Sequence, residues 1–398
     1  MNSTYTLILA ALLAGLLPQT PKVLPIEDES VASGIRGLLV QEAGATHATY
    51  VKWESEATLQ DVLSGLRRSR GGRIQWLPGQ YEIHKGLVLW RNHNVEIHGS
   101  EGTKLFFSPE PEKRPRTTQA MVQGSQSMYV DDSTGMHVGC KYQLYPASGK
   151  GDRVLEFEVG AIEGNKLTLL RKVVFMPHVT QVPASSMIVE EVNFFRVNSS
   201  KNVTISGLHM DGQSRGDTAG HTTYSGIIAT GILPEGKETK IKGLRIENCT
   251  FRGLKGRGIA VYRTSDVSIR GNLLENVRSE AIELDHYSTG EVIGNEIHHA
   301  GVGVALNDAF DSVVSCNTIE DCSIGVSIYR HFNKIWVNKN HQVDSNIITP
   351  APGCAGIVFN TPMTGHRILN NFFVGCPEER WIIQGEGNTL SGNVSILD

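Results

Sequence analysis

The stretch IRGNLLENVRSEAIELDHYSTGEVIGNEI, from Ile269 to Ile297, contains one short motif twice. The motif is an aliphatic residue, two variable residues, an asparagine, one further residue and an apolar residue, and its asparagines here are Asn272 and Asn295. Copies continue towards the C-terminus with Asn317, Asn346, Asn371 and, less completely, Asn393, at spacings of 23, 22, 29, 25 and 22 residues. Two earlier segments fit the frame with Leu208 and Cys249 in place of asparagine. A period of this size predicts a repeat architecture.

A second series accompanies the first, with the members GIAVY, AIELD, GVALN, GVSIY and GIVFN, which begin at Gly258, Ala281, Gly303, Gly325 and Gly356. Alternation within each member predicts a strand, and a period near 23 residues predicts one coil of a parallel β-solenoid. Stacked coils then form two internal columns: Ile259, Ile282, Val304, Val326 and Ile357, and Val261, Leu284, Leu306, Ile328 and Phe359. The asparagines are predicted to stack at a turn and bond one another between coils.

These repeats resemble the right-handed parallel β-helix proteins of the pectate-lyase-like superfamily. Ala57–Ile83 is similar to the capping helix, Gly-Gly turn and first strand that open such proteins, and Asn94–Leu105 is similar to the next coil. The resemblance implies an all-β fold, a right-handed parallel β-helix (solenoid) with an N-terminal capping helix, and a carbohydrate-active protein. A polysaccharide or oligosaccharide is the partner that it implies.

The remaining segments complete the predicted organisation. Residues 1–20 are interpreted as a signal peptide, 21–108 as the N-terminal cap and first coils, 109–192 as a β-rich insertion, and 193–398 as the parallel β-helix coils. The apolar run Thr6–Leu17 predicts export, to a secreted, periplasmic or cell-surface location, with a membrane anchor as the lesser alternative. The insertion, with the alternating Val154–Val174, is either a lid, an oligomer contact or a decorating subdomain.

Composition excludes some functions. The net charge is −4 and no Lys- or Arg-rich run occurs, which argues against nucleic acid as the main partner. Six cysteines in 398 residues do not make a disulfide scaffold, and we expect at most one or two bridges.

The alternation predicts which side chains face outward. One outward column has Tyr262, Asp285, Asn307 and Tyr329 in successive coils, and the next, at the strand ends, has Arg263, His286, Asp308 and Arg330. We expect these residues to form one patch, with Glu283 accessible at its edge because Ala260 and Ala305 beside it are small. Two long turns, which carry Tyr224 and Trp336, are expected to wall the patch into a cleft.

Three hypotheses on function stay open at this point. The first is a lyase or epimerase that abstracts the C5 proton of a uronic acid: Arg263 and Arg330 bind the carboxylate, His286 is the base, Tyr262 or Tyr329 donates a proton, and Asp285 or Asp308 orients His286. The second is a glycoside hydrolase or transglycosidase that uses Asp285 and Asp308, or Glu283. The third is a glycan-binding or structural β-helix, as a possible homo-oligomer, in which the patch is only a salt-bridge ladder.

No cofactor is predicted, and calcium is the one metal considered. The sequence contains no HExxH, paired CxxC or EF-hand spacing. Asp285, Asp308 and a substrate carboxylate could together hold a calcium ion, since hard oxygen ligands on adjacent coils suit it.

Overall fold

The structure is a computed structural model that describes residues 36–84, 86–107, 114–134, 136, 138, 141–147, 154–173, 181–213, 223–231, 241–330, 338–383 and 387–396. The predicted export segment Thr6–Leu17 lies outside these residues. Within them, no helix is long and apolar enough to cross a membrane.

The N-terminal part contains a helix that covers the open end of the solenoid. Its elements are β1 (Gly37–Glu42), β2 (Thr49–Lys52), α1 (Glu56–Arg68), β3 (Gly72–Trp76), β4 (Gly79–Ile83), β5 (Leu87–Trp90), β6 (His93–Gly99) and β7 (Thr103–Phe107). Leu59, Leu63 and Leu66 recur on one face of α1 and are buried in the main core. The helix therefore protects apolar side chains of the first coils from water, as predicted.

The insertion has its own apolar core. Its elements are β8 (Met121–Val122), β9 (Ser127–Tyr129), β10 (Lys141–Tyr145), β11 (Leu155–Glu163), β12 (Lys166–Leu169), β13 (Gln181–Val182) and β14 (Met187–Asn198). Strand β14 belongs to both parts: Met187–Glu190 pair antiparallel with β10, and Phe195–Asn198 pair in parallel with β5. The predicted boundary between residues 192 and 193 falls inside this strand, which joins the insertion continuously to the coils.

The coils follow in strict succession. Their strands are β15 (Lys201–Ser206), β16 (His209–Asp211), β17 (Thr223–Thr230), β18 (Ile241–Glu247), β19 (Thr250–Leu254), β20 (Ile259–Tyr262), β21 (Thr264–Arg270), β22 (Leu273–Asp285), β23 (Gly290–Ile293), β24 (Glu296–Asn307), β25 (Val313–Ser315), β26 (Thr318–Tyr329), β27 (Gln342–Asp344), β28 (Ile347–Phe359), β29 (Arg367–Leu369), β30 (Phe372–Val374), β31 (Ile382–Ile383), β32 (Thr389–Ser391) and β33 (Val394–Ile396), with a short 3-10 helix at Glu378–Arg380.

Each coil contributes to two sheets. A short strand such as β21 pairs with β18 and β23 in a twelve-stranded sheet, and a long, bent strand such as β22 pairs with β24 in a nineteen-stranded sheet. The predicted internal columns are confirmed, since Ile259 pairs with Ile282 and then Val304, and all members of both columns are fully buried. The predicted parallel β-solenoid is confirmed as well.

A ladder of asparagines forms one corner of the solenoid. Nδ2 of Asn272 donates to Oδ1 of Asn295 at 2.9 Å, and the same bond links each later asparagine to the next as far as Asn393. Nδ2 of each asparagine also donates a second hydrogen bond to a backbone oxygen of the preceding coil, for example from Asn317 to the oxygen of Val292 at 2.9 Å. The residue before each asparagine has a left-handed backbone, for example Gly294 with φ +64°, which turns the chain sharply enough for stacking.

A second polar ladder, which the sequence had not indicated, stands at another corner. Nδ1 of His341 accepts the backbone N–H of Ser312, Nδ1 of His366 accepts that of His341, and Oδ1 of Asn388 accepts that of His366. The two imidazoles stack with centroids 5.2 Å apart, and both are fully buried. Burial lowers the pKa of His341 to about 3 and that of His366 to about 4.

The five described cysteines, Cys249, Cys316, Cys322, Cys354 and Cys376, are all free. Cys140 lies outside the described residues. Among the described cysteines there is therefore no disulfide bridge, whereas the sequence allowed at most one or two.

Asn317→Ala should lower the free energy of unfolding by about 2–4 kcal/mol, because it leaves the buried N–H groups of Asn295 without their acceptor. Asn393→Ala is the matched control: it makes the same change at the last rung, where Asn393 is partly exposed and water can replace the amide. Urea unfolding measures both. Equal losses at the two positions would contradict a ladder whose strength depends on burial.

Acid should destabilise the fold through His341 and His366. Both pKa values lie below the ordinary 6.5, so the neutral rings stabilise the folded state fully above pH 6.5, and this stability is lost as the pH falls towards 4. The expected loss is about 2 kcal/mol per histidine by pH 5. Urea unfolding between pH 7.5 and 4.5 measures it. The double variant His341→Asn, His366→Asn should flatten the profile, because Asn388 already fills the equivalent position; an unchanged slope would refute this assignment.

Candidate functional site

A cavity of about 430 Å³ lies between the insertion and the outer face of the coils. The insertion side is lined by Glu156, Phe157, Glu158, Leu169, Arg171, Lys172 and Val173, and the side of the coils by Arg196, Ile228, Thr230, Arg257, Tyr262, Arg263 and His286. Five of these side chains are cationic and two are acidic. The insertion is thus one wall of the cavity, and the cavity favours an anionic ligand.

The predicted outward column has the expected register. Tyr262 pairs with Asp285, Asp285 with Asn307, and Asn307 with Tyr329. Of this column, Tyr262 lines the cavity. Residues from different coils therefore meet in one place although the sequence separates them by more than twenty positions.

Asp285 lies beside His286 at the edge of the cavity. Oδ1 of Asp285 lies 2.7 Å from Nδ1 of His286 and accepts the backbone N–H of His286 at 2.6 Å. The Asp285 side chain is 5% exposed and the His286 side chain 29%. The rings of His286 and Tyr262 lie side by side with centroids 5.7 Å apart. A carboxylate close to a partly exposed imidazole ring at a cavity suits the chemistry of an acid or base.

Glu283 is buried rather than accessible, and on this point the sequence-based expectation is wrong. Its side chain is 2% exposed, because three side chains from adjacent coils cover the space above the small Ala260 and Ala305. The hydroxyl of Tyr262 donates to Oε2 at 2.7 Å, Nδ2 of Asn307 donates to Oε1 at 2.7 Å, and Nε of Arg257 lies 2.6 Å from Oε2. Burial raises the pKa of Glu283 to about 7, while the charge of Arg257 opposes the shift.

Arg257 is the site residue that sequence reasoning missed. It lies in the turn before β20, where no alternation assigns a direction to its side chain, and it lines the cavity and contacts Glu280 as well as Glu283. The spacing of Arg257 and Glu280, 23 residues or one coil, is the signal that could have found it.

Two members of the strand-end column do not join the patch. Asp308 is fully buried, and Arg330 is exposed beside Asn360, whose Oδ1 accepts its backbone N–H. Arg263, His286 and Asp308 all have left-handed backbones, with φ of 53°, 49° and 48°, so the alternation that holds within strands does not apply to them. Three coil steps, about 14 Å, separate Arg330 from Arg263, and of the two only Arg263 lines the cavity.

Most of the two long turns predicted to wall the patch, residues 214–222 and 331–337, lies outside the described residues, and these walls stay a prediction. Trp336 lies outside the described residues. Tyr224 is buried and packs against Phe107, with ring centroids 5.1 Å apart. The observed wall is the insertion.

Solvent-exposed salt bridges between adjacent coils are present, but on other faces of the solenoid. Arg252 pairs with Glu275, and Lys104 pairs with Asp211 at 2.7 Å, both between adjacent coils and partly exposed. Glu283 and Asp285 differ from these, because their side chains are only 2% and 5% exposed. Among the described residues, no group of three or more His, Cys, Asp or Glu is arranged to hold a metal ion, and the calcium hypothesis stays a prediction.

Comparison with known proteins identifies the fold. Residues 206–394 match the family described as "Right handed beta helix region". The chain is a right-handed parallel β-helix protein. Among solved structures, this β-helix is similar to the A-module of the mannuronan C-5 epimerase AlgE4 from Azotobacter vinelandii, with 12% identity, a TM-score of 0.52, and coverage of 86% of this chain and 93% of that one.

Two further solved β-helices are more distant. The enzymatically active domain of tailspike protein 2 from bacteriophage CBA120 has 9% identity, a TM-score of 0.48, and coverage of 90% and 45%. The periplasmic alginate epimerase AlgG has 10% identity, a TM-score of 0.37, and coverage of 81% and 78%. No curated protein sequence matches this β-helix. At such identities the likeness to the AlgE4 module shows a shared fold.

Proposed function

We propose that this β-helix is an exported enzyme that acts on a uronic-acid-containing polysaccharide by removing the proton at C5, as a lyase or an epimerase. The observation that carries the proposal is the pair His286 and Tyr262, which lie side by side on a cationic cavity. Export is proposed from the apolar run Thr6–Leu17.

The cations have a defined task in this chemistry. Loss of the C5 proton places negative charge on the uronate carboxyl group, and positive side chains that already surround the site stabilise it. Arg263 is the best candidate to bind that carboxylate, because a guanidinium binds carboxylates with two parallel hydrogen bonds. Arg171 and Lys172, on the opposite wall, suit the acid groups of neighbouring sugars in the chain.

Both reactions need two proton-transfer groups. An epimerase removes the C5 proton from one face of the sugar and returns one to the other face, whereas a lyase donates a proton to the departing O4. His286, positioned by Asp285, is proposed as the base, and Tyr262 as the proton donor. The AlgE4 A-module, which shares this fold, is a mannuronan C-5 epimerase, and that chemistry is compatible with this pair.

Hydrolysis is the second candidate. It is favoured by the pKa of Glu283, raised to about 7, beside the second carboxyl of Asp285, since glycosidases hold one carboxyl protonated next to an ionised one. The side chain of Glu283 is only 2% exposed, however. Tyr262, and not Glu283, lines the cavity, and we therefore prefer proton abstraction at C5.

The full chain should be incubated with alginate, pectate, glycosaminoglycans and neutral glycans, with and without calcium. A lyase produces ultraviolet-absorbing unsaturated ends, and an epimerase incorporates deuterium at C5 from heavy water without cleavage. His286→Ala and Tyr262→Phe should each lower kcat by about 100-fold or more, while circular dichroism shows that both variants stay folded. Reducing ends without absorbance would support hydrolysis instead, and binding without any product would overturn both enzyme proposals.

The double variant Arg171→Ala, Lys172→Ala should weaken the binding of an anionic oligosaccharide by about 10-fold or more, because these side chains contribute positive charge. The pH dependence of the enzyme's rate should stay unchanged, because these side chains transfer no proton. Isothermal titration at low salt, repeated at high salt, measures the effect. Arg270→Ala is the matched control, since Arg270 pairs with Glu291 on another face. Equal affinities of the wild type, the double variant and Arg270→Ala would show that the insertion is not part of the binding site.

A further inference from the structure

Glu283 occupies an unusual position for a carboxyl group. It lies between the core residues Ile282 and Leu284 in β22, on the outer side of the strand, and is 2% exposed. Its polar contacts come from the coils before and after it: Tyr262 and Arg257 at Oε2, and Asn307 at Oε1. The carboxyl group is thus directly behind a phenol that lines the cavity.

A purely structural role explains this placement poorly. Covering a carboxylate costs free energy that a neutral residue of similar size would avoid. Other acidic residues on the outer faces, such as Glu275 and Glu291, pair with arginine while staying partly exposed. Glu283 alone among these three is almost fully covered, and its closest hydroxyl neighbour is a group proposed to donate a proton.

The phenol of Tyr262 needs a proton source to act as an acid at neutral pH. A phenol has a pKa near 10, so a Tyr262 that gave up its proton alone would be left as a costly anion in the cavity. A protonated carboxyl group at hydrogen-bond distance removes that cost by replacing the proton as it leaves. In the contact of 2.7 Å the Tyr262 hydroxyl donates to Oε2, and the transfer takes place when the hydroxyl turns its proton to the substrate and accepts one from the protonated Glu283.

We propose that Glu283 is a positioning residue that supplies, through Tyr262, the proton that the enzyme gives to its substrate. This inference rests on the proposed function above. His286 takes the C5 proton in both reactions. In a lyase, the electron pair of the C5–H bond forms the C4=C5 double bond, the C4–O4 bond breaks, and the departing O4 takes the proton of Tyr262; in an epimerase, the electron pair moves onto the carboxyl group and returns to C5, where it forms a new C–H bond with the Tyr262 proton on the opposite face. In either case Glu283 gives its proton to Tyr262. The positive charge of the His286 imidazolium balances the new carboxylate of Glu283, which Arg257 then stabilises.

The charged groups around Glu283 are consistent with this role. Burial and the charges of Asp285 and Glu280 raise its pKa to about 7, while Arg257 and the Tyr262 hydrogen bond lower it. Because the protonated form is the active one, the rate should fall as the pH rises through 7.

Glu283→Gln tests the proposal, because glutamine keeps the size and the hydrogen bond but has no proton to give. We expect kcat to fall about 100-fold and the decline above pH 7 to disappear. Glu280→Gln is the matched control: Glu280 also contacts Arg257, at 3.0 Å, without a described contact to Tyr262, and its variant should keep the wild-type rate at low pH and the decline at higher pH, moved to a lower pH because the charge of Glu280 raises the pKa of Glu283. A Glu283→Gln enzyme with wild-type rate and pH profile would overturn the relay and leave the proposed function intact.

A second measurement does not depend on turnover. Infrared difference titration of the wild type should show a protonated carboxyl band that disappears with a midpoint near pH 7 and is absent in Glu283→Gln. In Tyr262→Phe the midpoint should rise, because the phenol hydrogen bond that favours the carboxylate is lost. A midpoint that does not respond to Tyr262→Phe would refute the coupling, whether or not any glycan is turned over.

Discussion

The hydrogen bond from one asparagine amide to the next is the interaction on which the rest of this structure depends. Each amide of the ladder is nearly or fully buried, except the last, and has donors and acceptors matched to both neighbouring coils. A shift of one coil by a single residue would leave these groups unpaired in a covered position, which is costly. The ladder therefore holds all later strands in one register, and the columns of the outer face inherit that register.

Register explains why the candidate site is built across coils. Tyr262, Asp285 and Asn307 occupy the same position in three consecutive strands, and parallel strands place such residues about 4.8 Å apart. Each side chain can contact only its neighbours one coil away. Consequently Glu283 receives its partners from the coil before it and the coil after it, and no linear motif along the chain could describe the site.

The sequence predicted those parts of the fold in which periodicity constrains the side chains. Both internal columns, the asparagine ladder and the pairing of Tyr262 with Asp285 follow from alternation and period, the capping helix was implied by the resemblance to β-helix proteins, and all are present. Asp308 was misplaced because it stands after its strand, with a left-handed backbone that ends the alternation. Arg257 was missed for a related reason, since a turn has no period. The sequence left the insertion open as a lid, an oligomer contact or a decorating subdomain, because its approach to the coils depends on antiparallel pairings among residues far apart, such as β10 with β14.

The continuity of β14 has a consequence for the chemistry. One strand carries both the insertion sheet and the first coils, and buried Arg196 on it lies 3.9 Å from Glu158 of the insertion. The shared strand and this contact restrain the position of the insertion, and with it the cationic side chains Arg171 and Lys172, relative to the coils. Catalysis of proton loss beside a carboxylate depends on charges that are in place before the reaction, because reorienting them during the step would consume much of their stabilising effect. A wall attached by a shared strand satisfies that requirement better than a lid on a flexible hinge.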